Sequence, residues 1–173
     1  MKNYLFALLI FFTATALAQT DTRIYDIIQK VSAKNIEADI TTLANFGTRN
    51  TFSDTLSSTR GIGAARRWIK AEFQQISSNC TNCLEVFYQK DLVKAATSKR
   101  VPKDTWVVNV VAIQKSKTGS NRYIIISGDI DSRNSDGSDF IKDAPGANDN
   151  ASGMAGAIEA ARVLSSYEFD ANI

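Results

Sequence analysis

Asp129 and Asp131 directly follow the apolar run Tyr123–Ser127, and Asp149 sits between a Pro-Gly turn and the segment ASGMAG. All three fall within Ser127–Gly153, which also holds Asp136, Asp139 and Asp143 and whose only basic side chains are Arg133 and Lys142. In an extended backbone residues i and i+2 project to one face, so Asp129 and Asp131 stand side by side. Two carboxylates that close need a counter-charge, or one of them holds a proton. A divalent cation supplies that counter-charge, and Asp149 on the next loop can close on the same ion. Each residue also has a plainer use, Asp149 as the N-cap of the following helix and Asp129 as a turn former. A calcium loop over Ser132–Asp143 fits at Asn134, Asp136 and Gly137. It fails at Ser132, where an acid is wanted, at Asp143, where a bidentate glutamate is wanted, and in lacking flanking helices.

Something must hold these carboxylates. In α/β sheets ligand sites lie at the carboxyl ends of strands, which is where Asp129 and Asp131 fall if Arg122–Ser127 is a strand. Upstream, Ile24, Ile27, Ile28 and Val31 form the apolar stripe of a helix, and Asn35 can cap a second helix that ends at Gly47. Residues 47–59 are polar and turn-rich, hence a loop. A third helix over 60–78 carries Ile62, Ala65, Ile69, Phe73 and Ile76 on one face. Its Gly-Ile-Gly start follows no strand and lacks the remaining glycine of a dinucleotide fingerprint, so it opens a helix rather than cradling a phosphate. The stretch 84–92 alternates like a half-buried strand, whereas 105–113 and 122–127 are near-continuous β-branched runs that predict strands covered on both faces. Gly119 marks a hairpin-like connection between the latter two. Helical period returns through Met154, Ala157, Ile158, Ala161 and Leu164. Helices, then strands, then a helix predict an α/β domain of three layers, α/β/α, with a mixed sheet. Ala171–Ile173 reads as the start of a further strand, so the domain is expected to be incomplete at its carboxyl end.

Composition bounds the rest. With 173 residues, 44% hydrophobic and 22% charged, the chain is an ordinary globular domain, and its net charge of +2 makes no case for nucleic acid. Lys2, the apolar run 4–12 and Ala16-Leu17-Ala18 predict a signal peptide over 1–18, too short to span a membrane, with a mature chain of 19–173 that is secreted or periplasmic. Cys80 and Cys83 in an oxidising compartment most simply form a short-loop disulfide, with free thiols as the alternative. There is no histidine and no second cysteine pair for a zinc ribbon. A redox motif would place the pair at a helix start, whereas this one precedes a strand.

The wording of the acidic stretch carries more. SGDIDSRNSD followed by APGANDNASGMAGAIEAARVLS closely resembles the di-zinc exopeptidase family of clan MH, which includes bacterial leucyl aminopeptidases, glutaminyl cyclases and glutamate carboxypeptidase-like enzymes. LANFGTRNTFSD, GIGAARRWIKAEF and WVVNVVAI resemble the stretches that precede this motif in the family's secreted aminopeptidases. The resemblance implies the three-layer fold with two zinc ions at the carboxyl edge of its sheet. The ligands it implies are a His, a bridging Asp, a Glu, a further Asp and a last His, with a second Glu as general base. It implies that Asp149 is the bridging ligand, with a cis peptide to Asn150. It places Asp129 where members carry the first His, as a metal ligand, and Asp131 at the catalytic position of the Asp that orients that His. Asp129 departs from the pattern: it offers a shorter, charged oxygen donor, and leaves Asp131 no imidazole to orient. The remaining ligands and the base are expected beyond Ile173. The implied protein is a secreted zinc aminopeptidase acting on peptides, represented by its amino-terminal part and inactive as that part alone. The alternative is a non-catalytic binding or structural module on a degenerate peptidase-like fold.

Overall fold

The computed structural model describes residues 21–98 and 100–173; the expected signal peptide lies outside the described residues. The elements are α1 (Thr22–Gln29), α2 (Ala33–Asn45), α3 (Gly61–Asn79), β1 (Leu84–Val93), β2 (Thr105–Gln114) and α4 (Ser152–Leu164), the last entered through a kinked turn over Ala147–Ala151 whose Asp149 and Asn150 are not helical.

Helix α3 forms as its period predicts: Ile62, Ala65, Ile69, Phe73 and Ile76 are all buried. Its sheet-facing side meets Leu84, Val86, Val110 and Ala112, while Leu43 of α2 and Met154 and Ile158 of α4 close the same core. β1 and β2 pair antiparallel from Leu84 opposite Gln114 to Val93 opposite Thr105. Cys80 and Cys83 form the disulfide in the tight turn between α3 and β1. Thr81 and Asn82, inside that turn, are left-handed.

Four expectations are corrected. The cap of α2 is Ser32, whose hydroxyl accepts from the Asn35 amide, while the Asn35 side chain turns instead to Glu159. The stripe of α1 is only partly covered among the described residues: Ile27 is half-buried, while Ile24, Ile28 and Val31 are exposed. Residues 114–122 do not make a hairpin, because the end of the chain lies between β2 and the next segment. Ile173 exchanges both backbone hydrogen bonds with Gln114, and Asn172 bridges in parallel to Tyr123. Finally, neither β-branched run is covered on both faces: in β2 only Val108 is buried while Trp106 and Val107 are exposed, and Arg122–Ser127 is tied to its neighbour only at that bridge, with Ile124, Ile125 and Ile126 exposed. A cavity of about 570 Å³ separates this segment from β2, floored by Ile69, Phe73 and Met154.

The protein is therefore a mixed helix and sheet fold of the α/β kind. Its named sheet is a two-stranded ribbon, and the parallel component survives as isolated bridges. The described helices that pack on the ribbon do so through one core on one face. The third layer of the expected architecture is not among the described residues.

Candidate metal centre

Two backbone segments meet where the acidic stretch was singled out. Gly128 ends the extended segment, and a Cβ there would come within 2.5 Å of the backbone of Gly153 and Met154, so only glycine allows this approach to the start of α4. That contact sets Asp129–Asp131 beside the turn carrying Asp149.

Arg49 locks the arrangement from beneath. It is fully buried, and its guanidinium donates to four carbonyls: Ile130 at 2.9 Å, Leu43 at 2.7 Å, Pro145 at 2.6 Å and Gly146 at 3.0 Å. Ile130 lies between Asp129 and Asp131, and Pro145–Gly146 leads into Asp149, so one side chain ties both acidic segments to α2. Ser132 completes the clamp, its hydroxyl accepting from the Arg49 amide at 2.9 Å and donating to the Ala144 carbonyl at 2.6 Å. Burial pushes the guanidinium below its ordinary pKa, while the charge of Asp131 pulls it the other way. In the sequence Arg49 stands in a polar loop, where an arginine among turn residues carries no mark of burial.

The six aspartates divide cleanly. Asp136 accepts from the amide and hydroxyl of Ser138. Asp139 accepts from the amides of Ile141 and Lys142 and pairs with the Lys142 ammonium. Asp143 pairs with Arg60 at 2.6 Å, and the same guanidinium donates to the Ile141 carbonyl. These three hold down the excursion 133–143, whose Phe140 also packs on Phe52. Within it the Asn134 side chain accepts from the Asp136 amide. Asp129, Asp131 and Asp149, by contrast, are exposed and make no hydrogen bond or ion pair among the described residues.

Asp149 is not the helix cap that was its plainer alternative. The residue before α4 is Ala151, with no side-chain cap, and Asp149 has an extended backbone two residues earlier. The Asp149–Asn150 peptide is cis, as the resemblance implies. The Asn150 side-chain oxygen beside it is buried without a partner. The three carboxylates do not converge: among the described residues no group of three His, Cys, Asp or Glu side chains is placed to hold a metal ion. They fit a metal as part of a ligand set, through hard oxygen donors on two segments fixed against each other.

Comparison with known proteins gives a consistent picture. Residues 109–173 match the model of Peptidase family M28. The chain is 42% identical over 144 residues to a probable zinc metalloprotease of Leptosphaeria maculans, an alignment that takes in 83% of this chain and 33% of that protein. Similar proteins described as probable zinc metalloproteases occur in Pyrenophora teres, 41% identical over 148 residues with 86% and 30% coverage, and in Pyricularia oryzae, 37% identical over 144 residues with 83% and 28% coverage. The chain thus spans about a third of the length of the relatives it matches. These relatives are fungal, where the motifs pointed to bacterial aminopeptidases.

Proposed function

We propose, from the M28 match and the zinc metalloprotease relatives, that this chain is part of a zinc-dependent metallopeptidase. More narrowly, it is read as a secreted exopeptidase that removes amino-terminal residues from peptides. The observation that carries the reading is the division of the aspartates: three are consumed in holding the loop, and the three that remain uncommitted are Asp129, Asp131 and Asp149. Exposed carboxylates with no protein partner, on backbone fixed by a buried arginine, support the reading of these three as ligands.

A bound zinc ion polarises the peptide carbonyl and lowers the pKa of water, which supplies both the electrophile and the nucleophile of hydrolysis. Asp149 is the bridging ligand in this reading. Asp129 offers a carboxylate where an imidazole is usual, and Asp131, free of an imidazole to orient, is available as a further oxygen donor. Arg49 fixes the spacing between them. Export is supported by the basic start and apolar run of residues 1–18 and by the Cys80–Cys83 disulfide, a bond that persists in oxidising compartments.

The test is to purify the protein at the length of its relatives from a secreting host, measure bound zinc by elemental analysis, and follow chromophore release from aminoacyl anilides with and without chelator. Zinc retention with chelator-sensitive release supports the reading, and Asp149→Asn abolishes both. A protein that holds no zinc and releases nothing at the length of its relatives is the non-catalytic module instead.

A further inference from the structure

Beside the acidic loop lies a second cavity of about 500 Å³, and its chemistry is opposite in sign. Arg66 of α3 lines it, together with Lys90 of β1 and Lys103 from the loop before β2. Arg66 is only 8% exposed, yet its side chain donates no hydrogen bond and faces no carboxylate within ion-pair distance among the described residues. Its Nε in particular is buried without an acceptor. The Tyr88 hydroxyl beside it donates to the Arg66 carbonyl and makes no hydrogen bond with the guanidinium. A buried, unsatisfied donor on a charged group is costly, and in a native protein it calls for an explanation; here that donor is the Arg66 Nε alone.

The surroundings add positive charge and little negative. Lys90 lies 5.7 Å from the Tyr88 ring centre and Lys103 lies 5.9 Å from that of Phe140, and neither pairs with an acid among the described residues. Lys70 approaches the other contact of Tyr88 at 4.5 Å. The one acid lining the cavity, Asp104, is already committed to the Lys94 ammonium and the Ala95 amide, each at 2.8 Å. Thr51, Arg66 and Val108 line both this cavity and the groove that contains Asp129–Asp131, so the two adjoin.

We propose that this cavity is an oxyanion-binding site in which Arg66 receives a carboxylate group, with Lys90 and Lys103 at its mouth. A planar guanidinium with five donors matches a carboxylate in two parallel hydrogen bonds, and the flanking ammoniums add attraction without fixed geometry. Its position next to the acidic groove favours the carboxylate of a peptide as the source. The site goes beyond the peptidase reading and does not require it.

The test uses the full chain without turnover. Thermal unfolding and calorimetry are run at fixed ionic strength with chloride exchanged for acetate or inorganic phosphate, and then with a tripeptide ending in glutamate and its fully amidated counterpart. Acetate or phosphate raises the melting temperature saturably. Arg66→Met weakens the apparent affinity at least tenfold, and that variant folds, because it exchanges an unpartnered charge for an apolar side chain of similar length. Lys90→Ala with Lys103→Ala, both at exposed positions, weakens it severalfold without abolishing it. Binding of the glutamate peptide over its amide identifies a peptide carboxylate as the source, whereas Arg66-dependent binding of free anions alone identifies a free oxyanion; both support the site. No saturable response, or an equal response in Arg66→Met, overturns it.

Discussion

At the scale of single residues, the acidic stretch shows why composition misleads and partners decide. Asp129, Asp131 and Asp149 were legible as candidates from their position after an apolar run and after a Pro-Gly turn; that the other three aspartates were structural was not, since an Asx turn and an ion pair become visible only with coordinates. Asp149→Asn removes a charge that makes no contact with the described protein. It is therefore expected to leave stability within about 0.5 kcal/mol in urea unfolding, while zinc affinity falls at least tenfold in a titration against a chromophoric chelator. Asp139→Ala should do the reverse, fraying the turn at Ile141–Lys142 and leaving zinc untouched. Equal effects of the two substitutions on zinc would remove the distinction on which the site is built. Arg49 makes the complementary prediction. Arg49→Met strips the donors from four carbonyls in or near the core, and at roughly 1–3 kcal/mol for each buried group left unsatisfied the loss should reach about 3 kcal/mol or more. Urea unfolding measures it, and a loss under about 1 kcal/mol would mean that the loops hold their place without the clamp.

At the scale of elements, periodicity located α3, α4 and both ribbon strands, because each buries its apolar face against another described element. It over-read α1 and 122–127, whose apolar residues mostly lack such cover, so hydrophobic pattern alone could not say what they pack on. What pattern could not show at all is the charged joint of the helices. Arg162 of α4 reaches Asp39 of α2 at 2.7 Å, Glu72 of α3 at 2.8 Å and Glu159 of its own helix at 3.1 Å. The Asp39 and Glu159 side chains are 8% and 3% exposed, and Glu159 also accepts from the Ser32 amide, tying the start of α2 into the same cluster. Arg162→Met would leave two buried carboxylates without their cation, and breaking such a group typically costs about 3–5 kcal/mol. Thermal or urea unfolding of the variant checks it. The joint itself gives no acid sensitivity through Arg162, whose partners raise its pKa: stabilisation from a raised group is complete below the unfolded value and is lost only as pH climbs through the folded one. The turns carry an acid-sensitive contribution of their own. Backbone amides of Ser57 and Leu56 hold Asp54 below its ordinary value of 3.8, and those of Lys142 and Ile141 do the same for Asp139. A lowered group stabilises above the unfolded value and loses that contribution as pH falls through the folded one. Amide exchange at Leu56, Ser57, Ile141 and Lys142 should therefore accelerate, beyond its intrinsic pH dependence, only below about pH 3.8. Asp54→Asn, which keeps the acceptor and removes the titration, should flatten the response at Leu56 and Ser57 alone.

At the scale of the molecule, the site and its scaffold are unevenly provided for. The groove between β2 and Tyr123–Ile126 leaves Ile125 83% exposed, and Ala171–Ile173 enters only its first part. Apolar surface of that kind binds fluorescent hydrophobic probes and promotes association through unpaired backbone. The chemistry is as incomplete as the packing. The chain has no histidine, zinc sites draw on nitrogen or sulfur as well as oxygen, and the described carboxylates do not converge in threes. Hydrolysis also needs a base within hydrogen-bond reach of the attacking water, and no glutamate lies in Ser127–Gly153 to serve. Residues 19–173 expressed alone should therefore bind a probe such as anilinonaphthalene sulfonate, take up magnesium or calcium weakly in preference to zinc, and release no chromophore from aminoacyl anilides. A chain of the relatives' length should bind less probe, hold zinc and turn over. Side-by-side calorimetry and anilide assays decide it: robust turnover by 19–173 alone would require a base and ligands other than the residues assigned here, and would overturn the assignment of Asp129, Asp131 and Asp149 as a partial set.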